Sequence, residues 1–434
     1  MAKLPDVPQG KELEDYVAGL LQCASYFVEK NIVERGTAEV LELDMVATCY
    51  VGGLPQRLLF EVKSGDWGFS DIFKLLGWKT YMGPGKIDRA YFVATGLSAD
   101  KPIDFFKEKC EQLGIFLLAV NDPGNIEQAL RDTRIISNQC NETDHALWRY
   151  SLWIERLMVN VVAESRRSEQ GKKGPGEVYN YQELVKNGIV LTGDVRERVA
   201  ALYKAHFDHQ WLAKAVAAEL DGAMYDANST PEEGEHWQKA LYDCEYPLIQ
   251  AALYYQHKAR LSILKSAVDY ACLKRAGALP EQKVIKFLNF EIPIHTMPPN
   301  FHKTVEVIQS IESYENIPAL WQTFLWKWGG FFLADKEHDE RSKLAEEVGM
   351  PLDAVNRALE LFDDLFPVDG GWFTEVQGTK IIKLFPCPFR GIGAAMRLSQ
   401  VESEDYDSFK STQYPYCHVN LSRWHNSAAK LLGP

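Results

Sequence analysis

No stretch of the sequence is apolar for long enough to cross a membrane, and the first residues lack the apolar core of a secretory signal. The eight cysteines form no CxxC pair, which argues against a zinc site and against a disulfide framework. There is no P-loop, no GxSxG and no GxGxxG after an expected strand. The sequence therefore predicts a cytoplasmic protein with reduced thiols, no membrane association and no ATP-driven motor of its own.

Basic residues are also fewer than acidic residues. Lysine and arginine number 47 against 60 acidic residues, so the formal net charge is -13 and the pI is near 5.4. Nucleic-acid affinity depends largely on neutralising phosphates, so this chain needs a local basic surface or bound metal ions to approach nucleic acid. What the chain does have is apolar residues (46%) and aromatic residues (12%) in the proportions of a well-packed protein.

The length of 434 residues predicts two or three domains. Residues 1–125 alternate between element types in the order helix, three strands, helix, strand, helix, strand, which indicates a layered α/β domain. Residues 126–335 are predicted to be mainly α-helical. Residues 336–434 read as helix, turn, helix and then a hairpin over residues 371–385, an order that resembles a winged helix.

Hydrophobic periodicity places the elements of the first domain. The predicted helices cover residues 10–22, 69–82 and 103–113, and the predicted strands cover residues 26–33, 40–50, 58–63, 89–96 and 115–120.

The strand pair around Gly52–Gly53 carries charges where a core would favour none. A two-residue turn at the two glycines places Asp44 opposite Glu61 and Glu42 opposite Lys63. A four-residue loop changes the partners and keeps all four side chains on one face. A three-residue loop moves Glu61 to the other face unless a bulge compensates, so the register decides the geometry.

Two carboxylates facing each other across a strand pair destabilise the fold unless a positive group lies between them. Mg²⁺ takes carboxylate oxygens and keeps waters, so Asp44 and Glu61 suit this ion. Lys63 beside it can orient a water or stabilise negative charge on a phosphate. The alternative is a solvated ion pair of Glu61 and Lys63 on an edge strand, with Asp44 capped by the turn. The apolar residues before Glu61 and after Asp44 favour the buried metal site.

The stretches GKELEDYV (residues 10–17), ELD (residues 42–44) and EVK (residues 61–63) together resemble the PD-(D/E)xK, or restriction-endonuclease-like, nuclease superfamily. The resemblance covers residues 1–125 and includes the order of elements. Leu43 stands where the superfamily's name has proline, which is a common variation.

The resemblance implies roles for single residues. Asp44 and Glu61 would be metal ligands with the Val62 carbonyl, Lys63 would be the catalytic lysine, and Glu14 would be the acid of the first helix. Glu12 is the second choice for that acid. The implied cofactor is Mg²⁺, with Mn²⁺ as a substitute.

The implied activity is hydrolysis of phosphodiester bonds by an endonuclease, with double-stranded DNA as the favoured substrate and restriction or defence against foreign DNA as a role. The alternatives are a structure-specific nuclease of repair or recombination, and a non-catalytic DNA-binding or scaffold protein. A homodimer is compatible with cleavage of both strands, and the helical or winged-helix-like part offers a surface for a protein partner.

Other candidates carry less weight. Lys74 and Lys79 on the predicted helix 69–82 form the best local basic surface for nucleic acid in the first domain. His206 and His209 have a spacing that permits metal binding, but surface positions are more common for such a pair. The second helix of the winged-helix-like part is acidic, which favours a structural role or a protein contact over DNA reading: Asp353, Glu360, Asp363 and Asp364.

Overall fold

The computed structural model describes residues 7–35, 39–96, 102–149, 151–153, 155–156, 195–196, 198–200, 246–279, 284–287, 290–293, 300–328, 332 and 337–365. His206, His209 and the predicted hairpin over residues 371–385 lie outside these described residues.

The N-terminal part has the predicted order of elements. It comprises α1 (Lys11–Cys23), β1 (Phe27–Arg35), β2 (Glu39–Val51), β3 (Leu54–Lys63), α2 (Phe69–Met82), β4 (Arg89–Ala94), α3 (Ile103–Gln112), β5 (Ile115–Ala119) and α4 (Ile126–Asp132). The strands form one five-stranded sheet in chain order, antiparallel from β1 to β3 and parallel from β3 to β5. β3 therefore lies at the centre of a mixed sheet.

Helices cover both faces of this sheet. The apolar side of α1, including Leu13 and Val17, packs with Phe60 and Val93 in one core layer. Ile72 and Leu75 of α2 pack with Leu59 and Phe92 in the layer on the opposite face. Since strand side chains alternate between faces, β3 contributes to both layers and is buried from both sides.

The turn between β2 and β3 fixes their register. Gly52 and Gly53 both have positive φ, 60° and 78°, as a type I′ hairpin turn requires. The ladder runs without a shift from the pair Val51–Leu54 to the pair Met45–Phe60. Of the three loop lengths considered, the two-residue turn at Gly52–Gly53 is the one observed.

The rest of the described chain is mostly helical, as predicted. Its labelled elements are α5 (Tyr246–Arg275), β6 (Val284–Phe287), β7 (Phe290–Pro293), α6 (Phe301–Gln309), α7 (Ile317–Gln322), α8 (Glu337–Val348) and α9 (Leu352–Leu365). The β6–β7 hairpin was not predicted. The two helices of the winged-helix-like part are present as α8 and α9, with Gly349 between them at a φ of 66°. Within the described ranges, no helix combines the length and the apolar character that crossing a membrane demands.

A glutamine joins the helical part to the free edge of the sheet. Gln322 at the end of α7 accepts a hydrogen bond from the Val28 N–H (3.0 Å) and donates one to the Val28 carbonyl (2.8 Å). β1 is an edge strand, so these main-chain groups point away from β2 and need a partner when they are buried. The Gln322 amide provides that partner in place of another strand.

A buried cluster of charges forms a second connection. Asp269 of α5 accepts hydrogen bonds from Lys265 (2.8 Å), Tyr50 (2.9 Å), Arg57 (3.0 Å) and Arg198 (3.2 Å). Burial alone would raise the pKa of Asp269, but the three cations outweigh it and hold that pKa well below its ordinary value. Because Tyr50 and Arg57 lie near the turn of the β2–β3 hairpin, Asp269 anchors that hairpin to the helical part.

Asp269→Asn is expected to lower the free energy of unfolding by about 3–5 kcal/mol, because it removes the buried carboxylate that bonds to Lys265, Arg198 and Arg57. Asp339→Asn, at an exposed position of α8, is the matched control and is expected to change it by less than about 1 kcal/mol. Urea unfolding at pH 7 measures both. Equal stability of the two variants would contradict the role given to Asp269.

Candidate active site

The two predicted strand acids lie where β2 and β3 stop pairing. The last pair of the ladder is Met45–Phe60, one step before Asp44 and Glu61. At that point Asp44 Oδ2 accepts a hydrogen bond from the Val62 N–H at 2.9 Å. A side chain thus takes over from the main-chain ladder, and it holds the Asp44 carboxylate against the segment that carries Glu61.

The pleat of β2 changes phase at Asp44. Leu43 packs in the core layer beneath α2, whereas Met45, two residues on, packs in the layer beneath α1. Residues two apart in a regular strand share a face, so the alternation is broken between these two positions. On β1, Asn31 faces the same break, is left out of the ladder and has a φ of 51°. The irregularity places Asp44 between the two faces of the sheet, within reach of α1 and of Glu61.

The structure differs from the prediction for Glu42. Glu42 lies between Leu41 and Leu43, which both pack beneath α2, so its side chain belongs to the α1 face. Its charge acts on Lys11 of α1, where it helps to raise the pKa of that lysine. Glu42 and Lys63 do not form the expected cross-strand pair in the described ladder, because the pleat changes phase before Glu42 is reached.

Glu61 is a buried acid on the central strand. It is 1% exposed, and the Lys63 ammonium lies 3.0 Å from its Oε1. That contact is an ion pair, whereas Glu61 Oε2 has no hydrogen-bond partner in the described part of the chain. Since β3 pairs with β2 and with β4, the alternative of a solvated ion pair on an edge strand is wrong.

Burial and the negative charge of Asp44 raise the pKa of Glu61 to about 7, against the opposing effects of Lys63 and Lys74. Asp44 itself is 7% exposed. Two acids thus face each other in a poorly solvated place, and the nearby ammonium groups compensate only part of their repulsion. A further cation would reduce the remaining repulsion between Asp44 and Glu61.

Glu14 of α1 interacts with Asp44. Burial and the charge of Asp44 raise its pKa, and the Lys11 ammonium lies 3.0 Å from Glu14 Oε1. Asp44 therefore interacts with a carboxylate on each side, Glu14 from α1 and Glu61 from β3.

The neighbours of Glu14 hold α1 in place. Asp15 forms a buried ion pair with Lys30 of β1 and lies 2.8 Å from Arg156 Nε. Arg156 also pairs with Glu12. Glu12 is thus engaged by Arg156, and of the two predicted helix acids Glu14 is the one on which the charge of Asp44 acts.

The two candidate nucleic-acid lysines have different positions. Lys74 is exposed, its ammonium lies 4.2 Å from the Trp78 ring centre, and its charge acts on Glu61. Lys79 donates to the Gly114 carbonyl (3.2 Å), just before β5 begins. That end of the parallel strands is opposite the one that carries Lys63, so of the pair only Lys74 lies beside the acids.

The acids fit a magnesium ion in part. Within the described ranges, no three His, Cys, Asp or Glu side chains are grouped closely enough to hold a metal. Mg²⁺ does not need such a group, because one or two carboxylates, waters and substrate phosphate oxygens suffice. Glu61 Oε2, which has no hydrogen-bond partner among the described residues, and the adjacent Asp44 carboxylate provide that smaller set. The Val62 carbonyl and Glu14 remain predicted ligands.

Sequence reasoning missed Lys11. It pairs with Glu14 and is sensitive to the charges of Asp44 and Glu42. The signal was present, since Lys11 precedes Glu14 by three residues, a spacing that places both on one side of a helix.

In the absence of divalent ions, Glu61→Gln is expected to stabilise the protein more at pH 8 than at pH 4.5. The raised pKa means that the folded protein holds the Glu61 proton more tightly than the unfolded chain does. This stabilisation is complete below about pH 4.5 and is lost as the pH rises to about 7. Because glutamine does not ionise, Glu61→Gln avoids this loss, which is about 2–3 kcal/mol in the free energy of unfolding.

Urea unfolding in a chelator at both pH values measures this difference. Glu108→Gln, whose side chain is 64% exposed, is the matched control and should show no such pH-dependent gain. A Glu61→Gln effect that is the same at both pH values would contradict the burial and repulsion described for Glu61.

Comparison of the chain with protein-family models, with curated proteins and with solved structures finds no match. Any functional assignment therefore rests on the arrangement of Asp44, Glu61 and Lys63.

Proposed function

We propose that residues 1–125 form a PD-(D/E)xK nuclease domain with a restriction-endonuclease-like fold, and that the protein is a Mg²⁺-dependent endonuclease acting on DNA. The order α1, β1, β2, β3, α2, β4, α3, β5 and the mixed sheet support the fold. Asp44 on β2, Glu61 and Lys63 on β3, and Glu14 on α1 support the activity.

The observation that carries the proposal is the buried pair of Asp44 and Glu61 with Lys63 alongside. A pair of adjacent buried acids costs stability, and a fold that needed only packing would place apolar residues there. The cost is understandable if the acids bind a cation during function.

The roles follow from position. Asp44 and Glu61 would hold Mg²⁺, with Glu14 and the Val62 carbonyl in support. When bound, the ion supplies Lewis-acid activation of the phosphodiester and of the attacking water. Lys63, 31% exposed and next to Glu61, would stabilise negative charge that develops on the phosphate.

Lys74 would contact the DNA backbone, since it is exposed on α2 close to the acids. One lysine offsets little of a net charge of -13, so Mg²⁺ itself would supply much of the positive charge that receives the phosphate. The helical part and the winged-helix-like part would position substrate or a protein partner, and a homodimer would allow both strands to be cut. Restriction or defence against foreign DNA is the proposed role.

Purified protein is expected to cleave DNA in Mg²⁺ or Mn²⁺ and not in a chelator. Asp44→Asn, Glu61→Gln and Lys63→Ala should each lower the cleavage rate by about 100-fold or more, because each removes a charge that acts on the transition state. Asp132→Asn, Glu108→Gln and Lys107→Ala are matched controls at exposed positions and should retain the rate.

Circular dichroism would establish that the variants are folded. Cleavage that survives Lys63→Ala would deny that lysine a catalytic role and point to another site or a contaminant. No cleavage by the unaltered protein in either ion would favour a non-catalytic DNA-binding or scaffold role. Comparing linear, methylated and branched duplexes separates restriction from a structure-specific repair activity.

A further inference from the structure

A cavity lies at the junction between the edge of the sheet and the helical part. Its walls come from the end of α1 (Gln22), from β1 (Glu29), from the helical residues 142–149 (Trp148) and from α5 (Leu261). It is distinct from the Asp44–Glu61 site, since no residue of that pair lines it.

Three of the residues that line the cavity each carry a buried polar atom with no hydrogen-bond partner among the described residues. These atoms are Gln22 Oε1, Glu29 Oε2 and Trp148 Nε1. The residues are 5%, 6% and 1% exposed, so bulk water does not satisfy them. An unsatisfied buried donor or acceptor costs about 1–3 kcal/mol, and native proteins rarely leave three such groups in one place.

The size of the cavity restricts what it can bind. Its volume is about 30 Å³. A single water needs about 10–15 Å³ on this scale, so the cavity has room for two water molecules and not for a sugar or a nucleobase.

The chemistry of the wall restricts the ligand further. Trp148 Nε1 is a donor only, whereas Gln22 Oε1 is an acceptor. A simple cation offers nothing to the indole N–H, and Lys265, Arg198 and Arg57 already act on Glu29 with positive charge. A simple anion offers nothing to the Gln22 Oε1 acceptor or to the Glu29 carboxylate. Water both donates and accepts, so it satisfies all three groups.

We propose that this cavity binds a pair of ordered water molecules that link Gln22, Glu29 and Trp148. One water accepts from the Trp148 indole, and the pair donates to Gln22 and Glu29. The hydrogen bonds join α1, β1 and residues 142–149 at the same edge where Gln322 pairs with Val28. The junction between the sheet and the helical part is therefore partly water-mediated, which is independent of any nuclease activity.

Magnetic resonance of the full chain, with ¹⁵N-labelled tryptophan, tests this site. The Trp148 indole resonance is identified by its loss in Trp148→Phe. A rotating-frame Overhauser cross-peak between that indole N–H and a long-lived water is expected. Glu29→Gln keeps an acceptor and should retain the cross-peak, whereas Gln22→Leu and Glu29→Leu should weaken it at least twofold.

A high-resolution crystal structure provides a second readout if a leucine variant fails to fold. Two water peaks within hydrogen-bond distance of the three side chains are expected. A Trp148 indole with no water cross-peak, or density for an ion or an organic molecule in the cavity, would overturn the proposal.

Discussion

The register of the β2–β3 hairpin is the constraint on which the candidate site depends. The positive φ angles at Gly52 and Gly53 set the turn, and the turn sets which residues meet along both strands. The ladder brings Asp44 and Glu61 to its open end, where the Asp44 side chain bonds to the Val62 N–H. A shift of one residue would send Glu61 to the other face of the sheet and separate the pair.

The open end of the hairpin lowers the stability of the fold because it carries two acids, whereas the closed end is fixed by contacts with the helical part. Asp44 and Glu61 repel each other with limited solvent to screen them, and burial together with this repulsion raises the pKa of Glu61 to about 7. At the other end, Tyr50 and Arg57 bond to the buried Asp269 of α5. The helical part thus fixes the hairpin on which the acids sit, which gives a physical reason for residues 126–335 to affect a site in residues 1–125.

Local patterns in the sequence predicted most of the first domain. The helix over residues 69–82 was predicted from periodicity and is observed at those positions, and the two-residue glycine turn was one of the three loop lengths considered. The pleat change at Asp44, which Asn31 of β1 faces, was not predicted, because the alternation of apolar residues does not mark it. Long-range partners such as Gln322 and Val28 carry no local signal at all. The short β6–β7 hairpin was missed because its four-residue strands, VIKF and FEIP, are too short for periodicity to distinguish strand from helix.

The most direct measurement of the central claim is an anomalous difference map from crystals of the protein soaked in Mn²⁺. A buried acid pair built to hold a divalent ion predicts one strong peak within coordination distance of an oxygen from Asp44 and an oxygen from Glu61. The absence of a peak at that position, with peaks only at exposed acids elsewhere, would contradict the account.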